Sequence, residues 1–274
     1  MKELNGSELA GFIKERQAKA VRGLRQAYSV QPKLAIVVSV ENPVIEIYMR
    51  LKKSYGEDIS VDVEIHRVSQ SEALPLIHQL NEDSTVHGII VQLPLDNPEQ
   101  TDEVLNAVAP EKDVDALGQN ALLDPATPTA ILWLLAGYAV ELKNRKIVIV
   151  GKGKLVGQPL EAMLATSDLQ VVACDSSDDI ASEVATADII ITATGKPGLL
   201  TSEMIPPNAV VVDAGVAVEQ GRAVGDLAPN VYERDDLKIT PKKGGVGPLT
   251  VCALFENVIK AAKANAGIGL EASS

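Results

Sequence analysis

Hydrophobic positions along the chain alternate between helical periodicity and short continuous apolar runs. At residues 6–27 they recur at helical spacing among charged residues (Leu9, Phe12, Ile13, then Ala20, Val21, Leu24), which predicts an amphipathic helix. The runs "KLAIVVSV" (33–40), "DVEIHRV" (62–68) and "HGIIVQLPL" (87–95) have the length and β-branched content of buried strands. Helices are predicted between them. One covers 43–54 and opens with a proline in its first turn, one covers 69–83 with Pro75 near its start, and one covers 99–109. The order αβαβαβα, with near-continuous apolar strands, predicts a parallel sheet covered on both faces.

"PEKDVDALG" (110–118) then reads as a polar loop, and 124–140 as a long, mostly buried apolar helix. A second alternating unit follows: strand 146–151, helix 157–166, strand 169–175, helix 179–187, and strands 188–195, 209–216 and 238–240. This is the pattern of a Rossmann-like, doubly wound nucleotide-binding domain. A terminal helix from residue 248 follows the glycine cluster "KKGGVGP" and is expected to pack back on the first domain. The predicted division is therefore 1–138 plus 252–274, and 139–251. The tail "GLEASS" (269–274) is expected to be disordered.

Composition narrows the function. The net charge of -12 disfavours nucleic acid and anionic membrane as partners. No apolar run approaches the ~20 residues of a membrane span, and the N-terminus lacks the apolar core of a signal peptide. A soluble, cytoplasmic protein is expected. Cys174 and Cys252 sit in apolar runs and read as buried free thiols. His66, His78 and His87 are scattered, no Cys/His spacing suits a metal, and there is no G-x-S-x-G elbow. Catalysis must come from other side chains or from a cofactor.

The best candidate for a cofactor loop is "KIVIVGKGKLVGQPL" (146–160). Gly151 ends a strand where a tight turn needs freedom in φ. Gly153 would let backbone approach phosphates, and Gly157 stands where a helix N-terminus attracts anions. The spacing is G-x-G-x-x-x-G, one residue longer than the usual dinucleotide fingerprint, and a lone loop of this kind is weak evidence. Context adds to it. The next strand ends in Asp175, about where an acidic residue meets the adenosine ribose. "TATGKPG" (192–198) and "VDAGVA" (212–217) put small residues at further strand ends, leaving space for a flat cofactor.

Taken in order, these and other motifs resemble the bifunctional methylenetetrahydrofolate dehydrogenase/cyclohydrolase family, over nearly the whole chain. "YMRLKK" is similar to the family's Y-x-x-x-K helix, giving Tyr48 and Lys52. "HGIIVQLPL" is similar to its Q-L-P-L strand, giving Gln92, Leu93 and Pro94. "PEKDVDALG" is similar to K-D-V-D-G, giving Asp115, and "PATPTA" to P-C-T-P-x-G. "VGKGKLVGQP" is similar to V-G-R-S-x-x-V-G-x-P, which accounts for the longer spacing; "ATGKPG", "VVDAGV", "GDLA" and "GGVGPLTV" follow as in the family. Departures are Ile45 for serine, Ala116 for glycine, Ala126 and Ala130 for cysteine and glycine, Lys152 for arginine, and Gly153 for serine. Asp175 stands where a histidine is common, and Lys242 and Lys243 where Val-Pro is usual.

The resemblance implies two domains with a cleft between them, an αβα N-terminal catalytic domain and the dinucleotide-binding domain. It implies oxidation of 5,10-methylenetetrahydrofolate to the methenyl form with a nicotinamide cofactor, then hydrolysis to 10-formyltetrahydrofolate. That chemistry serves one-carbon metabolism and purine biosynthesis, and the family is homodimeric. Lys52, Gln92, Tyr48 and Asp115 would be catalytic. Tyr48 and Lys52, four apart, share a helix face, so a ring can stack on the folate while an amine one turn along moves a proton. Gln92 would hold the amine and orient water. Asp115 would bind the pterin edge, and only the resemblance chooses it over Asp113. Folate would also meet Leu93, Pro94, Gly245 and Pro248. The cofactor would meet Gly151, Lys152, Gly153, Val156, Gly157, Pro159, Asp175, Ser176, Thr194, Gly195, Asp213, Gly215, Val216 and Gly245. NADP is the expected cofactor and NAD the alternative: Lys152 and Ser176 suit a 2′-phosphate, whereas Asp175 suits free ribose hydroxyls. Two other readings stand beside this one: an amino-acid or shikimate-type dehydrogenase, and a non-catalytic folate- or nucleotide-binding protein.

Overall fold

The computed structural model describes residues 2–165, 169–219 and 222–268; the tail expected to be disordered lies outside them. In chain order the elements are β1 (Lys2–Glu3), α1 (Gly6–Tyr28), β2 (Lys33–Val38), α2 (Pro43–Ile59), β3 (Asp62–Arg67), α3 (Gln70–Glu82), β4 (Gly88–Gln92), α4 (Thr101–Asn106) and α5 (Ala126–Gly137). Then come β5 (Lys146–Val150), α6 (Gly157–Ala165), β6 (Gln170–Cys174), α7 (Ile180–Val184), β7 (Ile189–Thr192), β8 (Val210–Asp213), β9 (Ala217–Glu219), β10 (Arg222–Val224), β11 (Lys238–Ile239) and α8 (Val246–Asn265). Short 3-10 turns cover Pro98–Gln100 and Pro229–Glu233.

The chain divides into two units, 12–126 with 251–274, and 1–11 with 127–250. In the first, β3, β2 and β4 form a parallel sheet with β2 in the centre, Ile36 standing opposite both Ile65 and Ile90. Leu34 to Val38 are all buried, as a strand covered on both faces requires. Ala35, Val37, Ile89 and Val91 share one core with Ala73, Ile77 and Leu80 of α3. The later part of α8 belongs to this unit. Its Asn257 amide donates to the Val114 and Asp124 carbonyls, at 2.9 and 2.8 Å, and its Phe255 ring lies 4.9 Å from Tyr55.

Helix α2 runs further than its sequence pattern predicts, to Ile59. Asn42 caps it by accepting from the Ile45 N–H at 3.1 Å, Pro43 opens it, and Ile45, Met49 and Ile59 are buried. Helix α3 gains a link at its start, where Glu72 accepts from the Ser69 backbone N–H at 2.9 Å.

The second unit holds a six-stranded parallel sheet in the order β1-β11-β8-β7-β5-β6, plus the antiparallel hairpin β9-β10, which the sequence reading missed. Residues 1–11 belong here, although the sequence division put them with the first domain. β1 pairs with β11, the Asn5 N–H donates to the Tyr138 hydroxyl at 2.9 Å, and Gly137 lies against the Leu9 side chain. The segment 127–138 joins the same unit. Both cysteines are buried free thiols. Among the described residues no helix is long and apolar enough to cross a membrane. Nor does any group of three or more His, Cys, Asp or Glu among them suit a metal ion.

Candidate active site

In the first unit, three of the predicted catalytic residues, Lys52, Gln92 and Asp115, influence one another. Lys52, in the third turn of α2, donates from Nζ to Gln92 Oε1 at 3.0 Å. Gln92 ends β4, and its own Nε2 donates to the Leu93 carbonyl at 2.8 Å, so both ends of the amide are held. The Leu93–Pro94 peptide is cis. Burial pushes the Lys52 amine below the ordinary lysine range, and the negative charge of Asp115 opposes that shift. Burial raises the Asp115 carboxyl in turn, and Lys52 opposes that. Both shifts run toward the neutral forms, as desolvation demands. Tyr48 lies one turn before Lys52 with 36% of its surface exposed, a ring open to a ligand.

The loop carrying Asp115 is tied down by its neighbours. Buried Lys112 donates from Nζ to the carbonyls of Leu80, Asn81 and Asp83, at 2.9, 2.7 and 2.7 Å, at the end of α3. Asp113, the competitor of Asp115 in the sequence, uses its carboxylate inside the loop, accepting from the Gly118 N–H at 2.8 Å. Ala116 sits at φ 55°, the left-handed region that glycine prefers. Ile45, where the resemblance expects a serine, is buried with the core.

In the second unit the strand order reverses between β5 and β7, the switch point where open α/β sheets bind ligands at their carboxyl ends. The glycine loop lies there. Gly151 has φ 112°, and a Cβ on it would stand 2.7 Å from the Ala193 carbonyl oxygen. A Cβ on Gly157 would stand 1.7 Å from the Gly151 oxygen, so the start of α6 rests directly on the end of β5. A Cβ on Gly153 meets nothing within 4 Å. Two glycines thus shape the turn, while the third faces open space where a phosphate would need room. The helix N-terminus and this cradle fit a dinucleotide. Val156 accepts from the Leu160 N–H inside the first turn, and Pro159 lies in that turn.

Lys152 does not stand alone. Its Nζ is 2.8 Å from Asp178 and 3.9 Å from Asp175. Asp175 also accepts from the Ser177 N–H and hydroxyl, and Ser176 is exposed. Asp213 differs from its expected role. Its carboxylate accepts from the N–H groups of Gly215, Asp226 and Leu227, at 3.0, 3.1 and 3.2 Å, rather than pointing outward. Burial lifts its pKa to about 6. Gly195 (φ 65°) brings its Cα side within 3.3 Å, measured from an ideal Cβ, of the Val216 oxygen. Gly245 is buried against Thr240. α8 starts at Val246, two residues before the expected start at Pro248, so Pro248 lies in its first turn. Gly245 and Pro248 both belong to this unit, and Lys52 to the first. Sequence reasoning missed Asp178 and Asp226. Asp178 is hidden in the acidic run "DSSDD", and Asp226 in "GDLA" carries no local signal of its partners.

Known proteins resemble this chain over nearly its whole length. Residues 4–115 match the tetrahydrofolate dehydrogenase/cyclohydrolase catalytic domain, and residues 125–266 the NAD(P)-binding domain of the same family. The bifunctional protein FolD of Moorella thermoacetica is 38% identical over 277 residues, covering 95% of this chain and 98% of that one. The bifunctional FolD methylenetetrahydrofolate dehydrogenase/cyclohydrolase of Campylobacter jejuni superposes with a TM-score of 0.89 at 33% identity, over 96% and 99% of the two chains. The Trypanosoma brucei dehydrogenase-cyclohydrolase, solved with NADP and an inhibitor, gives 0.88 at 29% identity, over 95% and 96%. Shikimate 5-dehydrogenase of Thermus thermophilus shares the fold alone, with a TM-score of 0.56 at 14% identity over 85% and 99% of the chains. Both domain models lie in the same order as the two motif sets, and between them they span the Lys52–Gln92 pair and the glycine loop: the chain belongs to the tetrahydrofolate dehydrogenase/cyclohydrolase family.

Proposed function

We propose that the chain oxidises 5,10-methylenetetrahydrofolate to 5,10-methenyltetrahydrofolate and hydrolyses that product to 10-formyltetrahydrofolate. The observation that carries this reading is the Lys52–Gln92 contact at 3.0 Å, with the Lys52 amine held toward its neutral form by burial. A nicotinamide dinucleotide, when bound, accepts the hydride released by the methylene carbon. Lys52, Gln92, Tyr48 and Asp115 do the rest. Gln92 fixes the direction of the Lys52 amine. The free amine takes a proton from the water that adds to the methenyl carbon, and the ring then opens as the nitrogen leaves with its electron pair. Tyr48 offers its ring to the flat folate. Asp115 accepts from the pterin's amino-pyrimidine edge and bounds how far the Lys52 pKa falls. Lys52→Met tests the assignment. Hydrolysis of methenyltetrahydrofolate should fall by about 10²-fold or more, the range of a lost acid–base group; an unchanged rate contradicts it.

The dinucleotide in this reading is NADP, as in the trypanosomal complex, with Lys152 as the cation for its 2′-phosphate. One specific observation favours a second reading, NAD. Asp178 and Asp175 already answer the Lys152 charge, leaving one positive and two negative groups where the 2′-phosphate would sit. Comparing KM for the two oxidants in wild type and Asp178→Asn decides between them. Higher NADP use in the variant supports Asp178 as part of the selector. Assembly as a homodimer belongs to the same proposal and is read directly by light scattering.

A further inference from the structure

Two carboxylates lie inside the dinucleotide unit, and the proposed reaction gives neither a chemical step. Asp226 is fully buried. Its Oδ2 accepts from the Thr192 hydroxyl at 2.6 Å and the Thr194 N–H at 2.7 Å, and its Oδ1 accepts from the Lys196 N–H at 2.9 Å. Asp213, at the end of β8, accepts from the N–H groups of Gly215, Asp226 and Leu227, and bonds the Tyr232 side chain. The donors are backbone N–H groups and hydroxyls.

Glycines show how closely the pair is fitted. A Cβ on Gly215 would stand 2.1 Å from Asp226 Oδ1, and one on Gly225 would stand 2.0 Å from Asp213 Oδ2. Asp226 therefore packs against Gly215, whose N–H donates to Asp213, and Asp213 packs against Gly225, the residue before Asp226. Three loops meet through the pair: 192–196 after β7, 213–215 after β8, and 225–227 after β10. The first two contain Thr194, Gly195 and Gly215, which stand at the sheet's carboxyl edge.

We propose that Asp226, backed by Asp213, is the positioning residue of the dinucleotide site. It sets the path of the 194–196 and 214–216 segments without touching the ligand. The inference rests on the dinucleotide-dependent activity proposed above. Chemistry explains why a carboxylate is used. Both of its oxygens accept, so all three donors are satisfied. An amide of the same shape turns one end into a donor and sets N–H against N–H, leaving a buried donor unpaired.

Asp226→Asn is the test. KM for the nicotinamide dinucleotide should rise about tenfold to hundredfold, the effect of one unpaired buried donor. Hydrolysis of methenyltetrahydrofolate needs no dinucleotide, so its kcat/KM should stay within about twofold of wild type. Equal losses in both activities would mark a general structural role and overturn the proposal, as would an unchanged dinucleotide KM. Thr192→Val, which deletes one donor and keeps the shape, is the second variant should Asp226→Asn not fold. It should raise the same KM severalfold, and no rise overturns the proposal. Titration of wild type and variants with NADP and NAD, followed by cofactor fluorescence of the reduced forms, separates the two claims. Weaker binding in the variants supports the positioning role even if wild type turns over no folate, and equal binding refutes it.

Discussion

Replacing Gly157 with alanine should damage the protein far more than the same change at Gly153, four residues earlier in one loop. The added Cβ at 157 would stand 1.7 Å from the Gly151 oxygen, 2.8 Å from its carbonyl carbon and 3.2 Å from Lys152 Cα. All three are backbone atoms, so no rotamer relieves the overlap. A carbon–oxygen contact needs roughly 3.2 Å, so the start of α6 must move by about 1.5 Å off the end of β5. Overpacking of this kind costs about 3 kcal/mol, which for a chain this size lowers Tm by roughly 6–12 °C. At Gly153 the new methyl meets nothing within 4 Å. Gly153→Ala should therefore melt within about 2 °C of wild type, as surface changes do. The assay is thermal unfolding of the free protein, followed by dinucleotide KM on whichever variants fold. Equal melting of Gly157→Ala and wild type would refute the packing argument. A large loss of stability in Gly153→Ala would refute the claim that this glycine is kept for a ligand rather than for the fold. If Gly153→Ala melts normally yet binds the dinucleotide less well, its side faces the phosphates.

Other outcomes follow from single contacts. Ala116 occupies the left-handed region, so Ala116→Val, with a β-branched side chain at φ 55°, should cost about 1–3 kcal/mol in denaturant melts, while Ala116→Gly should be nearly neutral. Burial lowers the Lys52 pKa and Asp115 raises it, so hydrolysis should climb with pH to a plateau reached below the ordinary lysine range; Asp115→Asn should move that climb to lower pH in a kcat profile. Asp213 has its pKa lifted to about 6 in the folded state. Between pH 6 and 4 the native protein then binds a proton that the unfolded chain does not, so this group's contribution to stability grows as pH falls through that window. The gain is at most about 3 kcal/mol, and Asp213→Asn should remove it from the pH dependence of urea midpoints.

Much of the architecture was written in the hydrophobic pattern. The runs at 33–38 and 146–150 are apolar at nearly every position because both faces of a central parallel strand are covered, and no alternation competes with that signal. The terminal helix is visible too, though its start at Val246 is not, because Gly247 in the first turn reads as part of the glycine loop before it. β1 and the β9-β10 hairpin escaped because strands of two or three residues carry no period. β1 exists through pairing with β11, far along the chain, and β9 and β10 through pairing with each other.

The site was legible where spacing carries geometry. Tyr48 and Lys52 are one turn apart, and Gln92 ends a strand. The acidic residues were harder. Nothing local separates Asp113 from Asp115; the fold does, by spending Asp113 on the Gly118 N–H. Nothing local separates Asp175 from Asp178, and the nearer partner of Lys152 proved to be Asp178. Asp213 looked like a cofactor ligand at a strand end, yet its carboxylate turns inward to three backbone amides. Buried acids in loops are decided by long-range contacts, which a single sequence does not spell out.

Turnover by the purified protein reads the two-step folate chemistry in one assay. Given 5,10-methylenetetrahydrofolate and either NADP or NAD, the protein should yield the reduced dinucleotide together with 10-formyltetrahydrofolate, and it should hydrolyse added methenyltetrahydrofolate with no dinucleotide present. No reduction of either dinucleotide and no hydrolysis above the uncatalysed rate would contradict it.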